Sequence, residues 1–213
     1  KIDLIRNGDQ SGYGMVARLA FHGGLDVFAI ALPHQFPTRT GPTWAYLLNC
    51  EGWTLEDAGP RGALPVLVDG MKLLGMKIND IERVIISHGH QDHDGNIYDL
   101  AEASGATVWA HELYFHFKPY ESSRLGLNEH SPLHRFILQL MSTDAGNAHN
   151  SDSYPMRHHN LGDSTKRMES IDDKFPVHAI KDQDVLGGMT FLYTPGHSID
   201  ELCIDLNGFI LTG

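Results

Sequence analysis

The chain has 213 residues, is 41% hydrophobic and carries a formal net charge of -11 with histidine neutral. That length supports one substantial core, and the acidic balance disfavours a strong nucleic-acid binder, which needs a basic surface to neutralise phosphate. No stretch of roughly eighteen apolar residues is present to cross a membrane as a helix, and Lys1-Ile2-Asp3-Leu4-Ile5-Arg6 lacks the apolar segment of a secretion signal.

Residues 2–5 and 15–21 read as the first strands, with turns at Asn7-Gly8-Asp9 and Ser11-Gly12-Tyr13-Gly14. Residues 27–32 form a further strand, after which Pro33 and Pro37 force irregular chain. The β-prone run 43–49 leads through a short turn into a second strand within 51–59. Leu64, Val66, Leu67, Met71 and Leu74 then predict a helix over 63–75, with Pro65 in its first turn and Gly75 at its end. The two cysteines, Cys50 and Cys203, sit in or beside apparent strands and read as reduced, packed thiols. Nothing in them requires an oxidising compartment, so cytoplasmic location is the expectation.

The apolar run Val84-Ile85-Ile86 reads as a buried strand, and it delivers Ser87-His88-Gly89-His90-Gln91-Asp92-His93-Asp94-Gly95-Asn96. His88, His90, Asp92 and His93 crowd into six residues, and groups of this kind are costly to bury unless ligated or hydrogen-bonded. His88 and His90, two apart in extended chain, point to one side and can grip one ion. Asp92 and His93 turn into the following segment and can face a second. Nitrogen donors suit zinc, iron or cobalt, whereas an oxygen cage would suit magnesium or calcium.

Beyond Asn96, the spacing of Ile97, Leu100 and Ala101 predicts a helix closed by Ser104-Gly105, followed by a strand over 106–110 that ends at His111. From Glu112 to Ile180 the chain reads as irregular, with the aromatic segment Tyr114-Phe115-His116-Phe117, a helix around 133–140, and His149, His158 and His159. About a hundred residues separate His93 from the next histidine motif, and the irregular stretch between reads as an insertion that caps the pocket or mediates dimerisation. A strand then ends in Thr194-Pro195-Gly196-His197-Ser198, and Asn207-Gly208 marks a hairpin turn into the last residues. His197 sits where its turn would bring a further metal ligand.

The pair SHGHQDHDGN and TPGHS resembles the metallo-β-lactamase superfamily, including its glyoxalase II-like and lactonase-like metallohydrolases. The resemblance implies an α/β fold, the αββα sandwich of two facing mixed β-sheets with outer helices and metals at one sheet edge. It implies that His88, His90 and His197 hold a first ion and Asp92 and His93 a second, with zinc the expected metal and iron the alternative. Asp57-Ala58-Gly59 resembles the loop that the superfamily places beneath its metals. The Asp57 carboxylate would orient a ligand histidine there, unless it merely caps a backbone N–H or Arg61. His111 is expected in a structural or pocket-lining role, and His158 and His159 as pocket candidates or as loop residues facing solvent or a partner subunit.

The family continues past a strand like 209–213 with a bridging aspartate and a later histidine. The expectation is therefore one domain over 1–213 whose C-terminal part is missing, with 112–180 as inserted cap or dimerisation region. The implied activity is hydrolysis of a small ester, thioester, lactone or amide by metal-activated water, with Asp92 as the catalytic proton acceptor. Alternatives are a mononuclear iron sulfur dioxygenase-like or diiron redox enzyme, a phosphodiesterase or nuclease, and a non-catalytic metal-bound sensor or interaction protein. The expected partners are a small-molecule substrate and a second copy in a homodimer, with neither nucleic acid nor membrane.

Overall fold

The computed structural model describes residues 1–21, 24–34, 41–114 and 176–213. Eight strands lie side by side in chain order: β1 (Ile2–Arg6), β2 (Val16–Ala20), β3 (Asp26–Leu32), β4 (Thr43–Asn49), β5 (Trp53–Glu56), β6 (Ile81–Ile86), β7 (Thr107–His111) and β8 (Val177–Ile180). The pairings from β1 to β5 are antiparallel, and those from β5 to β8 are parallel. Parallel neighbours need a crossover, and helices supply it from β5 to β6 and from β6 to β7. Helix α1 (Leu64–Leu73) joins β5 to β6, while α2 (Gln91–Asp94) and α3 (Ile97–Ser104) join β6 to β7.

A second sheet contains β9 (Val185–Leu186), β10 (Met189–Tyr193), β11 (Leu202–Asp205) and β12 (Ile210–Thr212), in the order β12-β11-β10-β9 with antiparallel pairings. The β11–β12 connection carries Asn207 at φ 57° and Gly208 at φ 92°. Both central residues of this tight hairpin turn thus need positive φ, which asparagine and glycine tolerate.

Successive side chains on a strand point to opposite faces, and each face has its own core. Val84 and Ile86 of β6 pack in one cluster with Leu67 and Met71 of α1 and Leu100 of α3. Ile85, between them, joins Val27 and Leu48 in a second cluster against Phe191, Ile204 and Leu211 of the small sheet. Full burial of each such side chain is worth about 1.5–3 kcal/mol. Among the described residues the layers therefore run helices, large sheet, small sheet, which are the first three layers of an αββα sandwich.

Two strands escape the sequence reading, the two-residue β9 and the longer β8. Residues 177–180, expected to be irregular, form β8 parallel to β7, and the Glu112 N–H extends the pairing by donating to the Ile180 carbonyl at 3.0 Å. Only Ile180 of this strand is buried, so no alternation announces it. Cys50 and Cys203 are free thiols, both buried. The aromatic residues Phe115 and Phe117, the helix expected around 133–140, and His149, His158 and His159 lie outside the described residues.

Glu56 is the misfit of this core. Leu55 packs under the helices, so Glu56 points the other way, between the sheets, where it is fully buried. Neither carboxyl oxygen has a hydrogen-bond partner among the described residues. Burial, and then the charge of Asp57, pushes its pKa well above the usual carboxylate value. A raised folded pKa means that its neutral form fits best below about pH 4.3, and that stability is lost as pH rises from there through the folded value. Replacing Glu56→Leu is therefore expected to raise the unfolding free energy by about 1–3 kcal/mol at neutral pH. Urea unfolding at several pH values checks this, and the gain should shrink as pH falls towards about 4.3.

Candidate metal centre

Three chain segments meet where β5, β6 and β10 end. Glu56 lies beside Ile85 in the parallel ladder, so the chain emerges from β5 at Asp57 close to the end of β6, where the Asp57 side chain reaches Ser87. The backbone joins them, with Asp57 N–H donating to the Ile85 carbonyl at 2.9 Å. Leu202 N–H donates to the Ser87 carbonyl at 2.9 Å and brings the small sheet, with its loop 194–201, to the same edge.

Three imidazole nitrogens converge there. His88 Nε2 is 2.9 Å from His90 Nδ1, which is 3.0 Å from His197 Nε2, and all three lie within 4.8 Å of one another. The rings stand edge to face, at 83°, 82° and 80°. They point their nitrogens inward instead of stacking. Nitrogens bound at ~2.0–2.1 Å to one tetrahedral zinc would be roughly 3.4 Å apart, so the group needs little adjustment to hold an ion. Burial, and then neighbouring His197, lowers the His90 pKa and favours the neutral ring that a metal requires.

A buried carboxylate sets the orientation of two of the rings. Asp57 is 1% exposed and adopts φ 64°. Its Oδ1 accepts the Ser87 N–H at 2.9 Å, and its Oδ2 accepts the Ser87 hydroxyl at 2.9 Å. That hydroxyl has one proton and gives it to Asp57, so towards His88 Nδ1, 3.0 Å away, it can only accept. His88 therefore carries its proton on Nδ1, and its Nε2 lone pair faces the other imidazoles. Asp57 Oδ2 also takes the Nδ1–H of His93 at 2.6 Å, which leaves His93 Nε2 facing Asp92 Oδ2 at 3.7 Å.

Of the residues singled out in the sequence, His88, His90 and His197 form the cluster, and Asp92 and His93 flank it. Asp57 lies beneath them, touching both Ser87 and His93. His111 is buried at the end of β7, stacked on Tyr193 at 4.3 Å and accepting the Leu113 N–H at 3.3 Å. It is no member of the cluster. Sequence reasoning assigned no role to Ser87, Asn96, Asp200 or His34. Asn96 is fully buried; it accepts the Gly62 N–H at 2.8 Å and donates to the carbonyls of Ala58 and Pro60 at 3.3 and 2.5 Å. The loop after Asp57 is thereby sewn to the histidine segment. A side chain at Gly95 would lie 2.5 Å from Arg61 N, so that junction also needs glycine.

A cavity of about 220 Å³ opens beside Asp92 and His93, walled by His34, Thr43, Trp44 and Tyr46. His34 Nε2 contacts Thr43 Oγ1 at 3.2 Å. Burial, then Glu56 and Asp57, pushes the Tyr46 phenol up to about 12, so it remains a hydrogen-bond donor.

Burial alone would lower the His93 pKa, but the Asp57 charge and hydrogen bond, then Asp92 and Asp94, outweigh it and push the pKa up to about 9. This ion pair stabilises the metal-free protein fully below about pH 6.5, and that contribution is lost as pH rises through about 9. NMR titration of the metal-free protein should show His93 titrating near the raised value. In Asp57→Asn its midpoint should fall by at least about one unit, and the substitution should destabilise more at pH ~6 than at pH ~10.

Known proteins share this frame. A Bacillus subtilis (strain 168) protein described as the probable metallo-hydrolase YqjP is 38% identical over 72 residues, 33% of this chain and 22% of its own length. The crystal structure of the hydrolase AbOPH, of the beta lactamase superfamily, aligns with a TM-score of 0.61 at 15% identity, covering 90% of this chain and 69% of that one. The metallo-beta-lactamase family protein TTHA1429 from Thermus thermophilus aligns with a TM-score of 0.53 at 21% identity, covering 87% and 58%. The match thus spans less than a quarter of that relative's length. The family model of the metallo-beta-lactamase superfamily covers residues 38–213, and it includes every donor of the cluster. The chain belongs to the metallo-beta-lactamase superfamily.

Proposed function

We propose that this chain forms the metal-binding core of a hydrolase that acts on a small ester, thioester, lactone or amide. The observation that carries the proposal is the convergence of His88 Nε2, His90 Nδ1 and His197 Nε2, with His88 held in the tautomer that turns a lone pair inward. These three residues would hold the first ion, and Asp92 and His93 the second. Borderline nitrogen donors with one carboxylate fit zinc. Metals bound there supply a water of lowered pKa and polarise the carbonyl under attack.

The chain's own residues do the rest. Ser87 and Asp57 fix His88, and Asp57 fixes His93. Asp92, whose side chain is 44% exposed, is accessible to a substrate proton and serves as its acceptor. The neighbouring cavity would take the substrate, with Trp44 against its apolar part and Tyr46 and His34 as polar contacts. In this reading the stretch between β7 and β8, within the expected insertion 112–180, serves as a cap or dimer contact, and the protein acts in the cytoplasm.

Elemental analysis of the purified protein tests the metals: two zinc ions per chain are expected. One iron would redirect the reading to oxygen-dependent sulfur chemistry, and no metal would favour a non-catalytic scaffold. Chelation should abolish hydrolysis across a panel of thioesters and lactones, and added zinc should restore it. In Asp92→Asn, kcat is expected to fall roughly 10²–10⁴-fold while the first ion is retained; full turnover at full metal occupancy would remove Asp92 from the proton path.

A further inference from the structure

Asp200 belongs to neither histidine motif, yet it is 1% exposed. A carboxylate so placed is costly unless its oxygens are filled, and both are. Oδ2 accepts the Gly89 N–H at 2.9 Å, and Oδ1 accepts the Ser198 hydroxyl. Gly89 sits between His88 and His90, and Ser198 directly follows His197. One side chain therefore grips the backbone between two cluster histidines and the neighbour of the third, across 111 positions of sequence.

The other contacts of the 194–201 loop lie at its base or within it, with Gly196 N–H donating to the Ser198 carbonyl at 3.2 Å and Ser198 N–H to Glu201 Oε2 at 3.3 Å. Leu202 N–H on the Ser87 carbonyl fixes the strand ends. Thr194 N–H on the Glu201 carbonyl at 3.0 Å closes the loop 194–201, and the Tyr193 hydroxyl donates to the Ile199 carbonyl at 2.9 Å. None of these bonds reaches Gly89. Metal–ligand distances tolerate only about ±0.2 Å, so the two loops need a constraint that joins one to the other.

We propose that Asp200 is the positioning residue that clasps the two histidine loops together and sets the His90–His197 separation before an ion arrives. The clasp rests on the reading that His88, His90 and His197 hold a metal, and it adds a residue that touches neither ion nor substrate. The hydrogen bonds carry the effect, so an amide can replace the carboxylate. In Asp200→Asn the oxygen still accepts from Gly89, and the NH₂ can donate to Ser198 Oγ. Asp200→Ala removes both arms.

The test is cobalt(II) and zinc affinity of the whole protein, measured by competition with a chelator and followed by the cobalt absorption spectrum, together with hydrogen exchange of the Gly89 amide in the metal-free state. Asp200→Ala should bind metal about 10–100-fold more weakly and lose protection at Gly89. Asp200→Asn should stay within a few-fold of wild type on both measures. If Asp200→Ala does not fold, Ser198→Ala removes one arm alone, and it should weaken metal binding while leaving Gly89 protected; unchanged affinity there would count against the clasp. Wild-type affinity in Asp200→Ala overturns the proposal, as does an asparagine variant as weak as the alanine one, which would assign the effect to charge. A wild type that binds metal but hydrolyses nothing sinks the hydrolase reading and leaves the clasp standing. Undiminished binding in Asp200→Ala does the reverse.

Discussion

A carboxylate sealed from water must have its lone pairs filled, and the way Asp57 fills them governs the centre. Two donors come from Ser87 and one from His93. Because Ser87 spends its only hydroxyl proton on Asp57, the direction of every later bond is determined, ending with a lone pair on His88 Nε2. A single buried charge thereby holds the Nδ1 proton of two histidines in different parts of the site. Its left-handed backbone, unusual for a residue with a side chain, is sustained by the parallel ladder on one side and by the loop that follows on the other. Ala58 and Gly59 both donate to the His93 carbonyl, at 2.8 and 2.9 Å, so Asp57 cannot shift without moving the segment it orients.

The fold makes this possible by placing strand ends together. Parallel strands β5 and β6 end at the same edge, and the crossover helices carry the chain away behind them. The small sheet packs across the inner face through Phe191 and Ile204, so the loop after β10 reaches that edge with His197. Inter-sheet packing supplies the energy, and buried polar bonds such as those of Asp200 and Asn96 supply the alignment. Glu56, with no such bonds among the described residues, shows the opposite case: the same interior that strengthens a filled carboxylate penalises an empty one.

Much of this is legible in the sequence, for identifiable reasons. Strands such as β3, β4 and β6 declare themselves by apolar runs, and α1 by spacing with proline at its start. His88 and His90 are legible because no core explains so many imidazoles in one turn, and His197 through the TPGHS motif that follows its strand. Asp57 is legible through its Asp-x-Gly resemblance. Strand β8 is not, since it buries one residue at the end of the sheet. Ser87 and Asp200 are not legible either, because their roles lie in pairings 30 and 111 positions away. A serine before a histidine, or an aspartate in a turn, reads as solvent-facing until the partner strand is in place.

His90 and His197 are 107 positions apart, yet their nitrogens touch. A chain made from its N-terminus exposes His88 and His90 well before His197 has been synthesised. The large sheet through β7 can assemble in that interval from neighbouring segments, whereas the third imidazole arrives only when the β10–β11 hairpin docks. Closing so long a loop adds little equilibrium cost, only ~0.6 kcal/mol for each doubling of length, but it comes late in the order of events. Ion capture thus reports completion of the fold, and its binding free energy accrues to the docked state alone.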